Sequence, residues 1–107
     1  MSQYIQVITT TKKKTDAGKI AKILIEEHLA ACVQIIGPIS STYIWKEVIE
    51  KSEEWLCIIK TRENLYKDLE SIIRKNHSYK VPEILAIPVI DGNEDYLSWM
   101  ESTLKNK

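Results

Sequence analysis

The chain has 107 residues, with 15 Lys plus Arg balanced by 15 Asp plus Glu and a pI near 6.7. That length fits a single domain, 1–107, small enough that association with copies of itself would help bury apolar surface. Balanced charge leaves no field to gather a polyanion, so no nucleic-acid partner is expected.

Tyr4, Ile5, Val7 and Ile8 open a β-rich segment that closes in Thr9-Thr10-Thr11. The run Lys12-Lys13-Lys14 is too short for a nucleic-acid or membrane patch and reads as a solvated loop. Thr15 or Asp16 then caps a helix whose stripe is Ala17, Ile20, Ala21, Leu24 and His28, ending near Leu29. Residues 31–36 and 39–45 are β-branched and aromatic, and predict one long strand with a bend or bulge at Gly37-Pro38. The charged stretch 47–54 should contain the turn, after which 55–61 returns as a second strand. The resulting hairpin, about 32–61, is longer than usual and would project as an arm unless another subunit covered it.

Residues 63–77 form the second predicted helix, with Leu65, Leu69, Ile72 and Ile73 as its buried stripe. Pro82 fixes its own φ and pushes Val81 toward extended geometry, so the helix gives way to a strand. The apolar run 84–90, bounded by Pro82 and Gly92, reads as a strand buried on both faces. Asn93 can cap a last helix carrying Tyr96, Trp99, Met100 and Leu104 at i, i+3, i+4 and i+8. The order β-α-β-β-α-β-α contains the split βαβ pattern of an α+β, ferredoxin-like fold, with both main helices on one face of an antiparallel sheet. The other face then needs a cover, which predicts a closed oligomer.

Few residues speak for catalysis. No Gly-x-Ser-x-Gly elbow is present, and glycines at 18, 37 and 92 cannot cradle a phosphate. Cys32 and Cys57 lack zinc spacing and read as buried hydrophobes in a reducing compartment. No basic region followed by an apolar one opens the chain, and no apolar run approaches the roughly 18 residues of a membrane span. A cytoplasmic protein with no membrane partner is the expectation. For metal, His77 is the candidate ligand, with Glu83 nearby, although a histidine at a helix C-terminus also serves to bond the last carbonyls. For a small ligand, Trp45, Lys60, His77, Tyr79 and Glu83 supply an aromatic wall, donors and charge. Packing is the plainer reading of Tyr43, Trp45, Trp55 and Trp99.

Five motifs then occur in order: Leu29-Ala30-Ala31-Cys32-Val33, Ser41-Thr42-Tyr43-Ile44-Trp45, Ile59-Lys60-Thr61-Arg62, His77-Ser78-Tyr79-Lys80-Val81-Pro82-Glu83-Ile84 and Gly92-Asn93-Glu94-Asp95-Tyr96-Leu97-Ser98-Trp99. In order and spacing they resemble the CutA family of divalent-cation tolerance proteins. The resemblance implies a ferredoxin-like subunit in a compact homotrimer with arms pairing between subunits, similar to PII-type signalling proteins. It implies a non-enzymatic role in the response to copper and other divalent cations. On that reading no cofactor is required, and the ion expected is a weakly bound divalent metal such as copper. The alternative is a sensor holding a small anionic ligand between subunits. Ser78, Lys80 and Glu47-Val48 depart from the family pattern. Where copper ligation in some members looks to a thiol and a His-His pair, this chain has Thr9, Asn76 and His77.

Overall fold

The computed structural model describes residues 3–107, leaving Met1 and Ser2, and whatever the reading of the N-terminus rests on them, outside the described residues. Its elements are β1 (Tyr4–Thr11), α1 (Lys14–Glu26), β2 (Cys32–Trp45), β3 (Val48–Arg62), a 3₁₀ turn (Glu63–Leu65), α2 (Tyr66–Asn76), β4 (Leu85–Pro88) and α3 (Glu94–Thr103). The strands form one antiparallel sheet in the order β2-β3-β1-β4. That order is the split βαβ arrangement the element pattern predicts.

Strand alternation divides the sheet into two unlike faces. Ile5, Val7 and Thr9 of β1 stand opposite Thr61, Ile59 and Cys57 of β3, and all six are buried. Against them pack Ala17, Ile20 and Leu24 of α1 and Leu69 and Ile73 of α2. Each large aliphatic side chain buried this way contributes about 1.5–3 kcal/mol. The second face carries Ile8, Ile36, Leu56, Ile58, Leu85 and Ile87, which stay half-buried or exposed.

Several expectations are corrected. α1 begins at Lys14 with Lys13 at the N-cap position and no side-chain cap, so Thr15 and Asp16 lie inside its first turn rather than capping it. The Thr11 hydroxyl instead donates to the Lys13 carbonyl at 2.8 Å and sets the entry of the chain. The helix stops at Glu26, not near Leu29, because His28 turns left-handed at φ 57°. His28 therefore leaves the buried stripe, and its Nδ1 lies 3.1 Å from the Thr103 carbonyl. The second helix, expected over 63–77, is a 3₁₀ turn followed by α2, with Leu65, Leu69 and Ile73 as the buried stripe.

The hairpin is present, and so is its bulge: the β2–β3 register slips between Ile36 and Ile39, and the Gly37–Pro38 peptide is cis. Its turn takes in only Glu47 of the charged stretch 47–54, the rest of which is strand. Lys46 and Glu47 alone connect the strands, both with positive φ, while cross-strand pairs such as Ile44 with Ile49 and Tyr43 with Glu50 extend pairing through 48–54. Strands of 14 and 15 residues make the arm, and the molecule measures 44 by 26 by 22 Å.

The run 84–90 is not a strand buried on both faces. β4 spans only Leu85–Pro88, pairs with β1 alone, and is exposed throughout. Pro88, which has no N–H to donate, suits that edge position. At the chain's end Asn93 occupies the N-cap position of α3 without a side-chain cap bond, while Met100 and Leu104 enter the core and Trp99 stays 44% exposed beside Tyr96. Arg62 holds this helix: its buried guanidinium donates to Asn64 at 3.0 Å, to Glu101 at 2.6 Å and to the Lys105 carbonyl at 2.6 Å.

Candidate functional site

The loop after α2 builds its corner from His77 outward. At His77 the backbone becomes extended, which ends the helix. Its Nε2 donates to the Thr10 carbonyl at 2.8 Å, and its Nδ1 accepts the Tyr79 N–H at 3.1 Å. One nitrogen donating and the other accepting define a single tautomer, and both are spent inside the subunit. The imidazole thus pins the loop to the end of β1.

Tyr79 follows, with its ring 5.1 Å from that of His77 and its hydroxyl donating to Glu54 Oε2 at 2.7 Å. Burial, and then the bond to Glu54 and its charge, push the Tyr79 phenol well above its ordinary value. Glu54 itself is only 7% exposed, held between the arm and the loop. Around this pair opens a cleft of about 770 Å³, with walls that include Tyr43, Trp45 and Glu50 of the arm and Tyr79, Lys80 and Glu83 of the loop.

Of the five residues singled out from sequence, Trp45, Tyr79 and Glu83 therefore meet in one cleft. His77 braces it from behind, and Lys60 lies elsewhere. The Lys60 ammonium sits 5.2 Å above the Tyr96 ring and 3.4 Å from its hydroxyl, which ties β3 to α3. Glu54 and Glu50 are the residues sequence reasoning missed. Their stretch read as a turn, and only the two-residue connection at Lys46-Glu47 puts them in register with β2.

A resident metal finds little here. Among the described residues no group of three His, Cys, Asp or Glu lies close enough to hold an ion. Cys57 is fully buried and its thiol is pushed up to about 11 by burial, while Cys32 pairs with Lys60 and so points to the other face of the sheet. Thr9 is also fully buried, its hydroxyl without a hydrogen-bond partner among the described residues. Within one subunit the donor set does not fit a tightly held metal.

The comparisons with known proteins agree with the fold. The family described as CutA1 divalent ion tolerance protein matches residues 5–103. "Protein CutA, chloroplastic" of Arabidopsis thaliana is 39% identical over 101 residues, 94% of this chain, while the chain spans 56% of that relative's length. "Divalent-cation tolerance protein CutA" of Thermus thermophilus is 38% identical over 94 residues, 88% of this chain and 91% of the relative. The crystal structure of CutA1 from Oryza sativa superposes with a TM-score of 0.95 at 38% identity, covering 99% of this chain and 97% of that one. With the match running from the first strand to the last helix, the chain belongs to the CutA1 divalent ion tolerance protein family.

Proposed function

We propose that the chain acts in tolerance of divalent cations, copper among them, as a non-catalytic homotrimer. The observation that carries this reading is the family match over residues 5–103, which takes in the sheet and all three α-helices rather than an isolated motif. The apolar second face supports self-assembly: Ile36, Leu85 and Ile87 are 48%, 54% and 43% exposed on the isolated subunit. Ile44, Val48 and Ile49 near the arm tip are exposed as well, as suits an arm that packs on a neighbour. Three copies rather than two follows the family resemblance.

Direct metal contact, on this account, is weak or pooled across subunits, because His77 is committed on both nitrogens and no complete donor set converges in one chain. No cofactor is required. A cytoplasmic setting is supported by two free thiols, which persist in a reducing compartment. A small anionic ligand finds less support, since Lys60 lies outside the cleft and three glutamates line it. Isothermal titration of the assembled protein with copper(I), copper(II) and zinc tests the metal part. Weak uptake that disappears when assembly is broken agrees with the proposal, and a tight site retained by a monomeric variant contradicts it.

A further inference from the structure

We draw no further inference here: the strongest candidate, the open cavity of about 710 Å³ at the end of α3 lined by Arg62, Glu63, Glu101 and Lys107, carries nothing because its cations are already spent inside the subunit, Arg62 on Asn64, Glu101 and the Lys105 carbonyl and Lys107 on Asp68, so that no group there points to a ligand.

Discussion

The two-residue connection at the arm tip should be a weak point that substitution can repair. Lys46 and Glu47 adopt φ of 51° and 68°, the left-handed values that a two-residue hairpin turn requires and that residues with a Cβ resist. The left-handed conformation costs about 1–2 kcal/mol for an ordinary residue, and glycine's freedom in the unfolded chain returns roughly 0.5–1 kcal/mol of that gain. Both side chains are exposed and form no ion pair among the described residues, so little is lost by replacing them. Glu47→Gly alone should stabilise by about 0.5–1 kcal/mol, and Lys46→Asn with Glu47→Gly by about 1–1.5 kcal/mol, asparagine being the tolerant choice at the first position. Guanidinium denaturation at one fixed protein concentration measures this, since the proposed assembly would make apparent stability concentration-dependent. The midpoint should rise with an unchanged slope, and Glu47→Val should lower it. An unmoved midpoint in the double variant, or a harmless valine at 47, would refute the reasoning that the turn is strained.

Alkaline stability should fall in two overlapping steps. The Cys57 thiol is raised from 9.0 to about 11 by burial, so the unfolded chain ionises first: its contribution is complete below pH 9 and is lost as pH climbs toward 11. At 1.36 kcal/mol per unit this amounts to roughly 2.7 kcal/mol. Tyr79, raised from 10.0, acts in the same direction beginning near pH 10, so denaturation midpoints of Cys57→Ala should stay flat to about that pH. A wild-type midpoint constant from pH 8 to 11 would contradict both assignments. Arg62→Met should cost about 2 kcal/mol, below the usual range for a broken buried pair because Glu101 is 44% exposed and can be hydrated, and should speed amide exchange in α3; unchanged exchange there would show that Arg62 does not hold the helix. Gly37→Ala would bring a Cβ to 2.5 Å from Trp55 Cε3 and should destabilise by about 1–3 kcal/mol, with Trp55→Leu restoring much of the loss; a melting temperature equal to wild type in the single variant would count against that contact.

The parts of the fold that sequence makes legible are those whose signal is local. The stripes Ala17, Ile20, Leu24 and Leu65, Leu69, Ile73 repeat at helical spacing, and each is buried as the spacing requires. Gly37-Pro38 marks the bulge by composition alone. The arm turn reads too wide because Lys46-Glu47 lacks the asparagine and glycine that usually announce a tight hairpin, whereas the charges of 48–54 imitate a loop. The run 84–90 reads as a strand buried on both faces because an apolar run looks the same whether its cover comes from its own chain or from elsewhere.

The site was legible only in part for a similar reason. Tyr79 and Glu83 are fixed by the loop in which they stand, and Trp45 by the arm. Lys60 suits the same pocket by its place near the end of a strand, but its partner Tyr96 lies 36 residues along the chain on α3. Glu54 was invisible because its importance rests on register and burial, neither of which its charged neighbours reveal.

Growth under copper challenge tests the central claim most directly, using cells that lack their own member of the family and carry either this chain or its Ile58→Lys variant. Ile58 stands opposite Ile8 and Gln34 on the apolar second face, so a charge there should break assembly while leaving the helix-covered core intact. The account predicts that the wild-type chain restores growth in copper and the variant does not. Equal growth with both, or no rescue by either when both accumulate as folded protein, would contradict it.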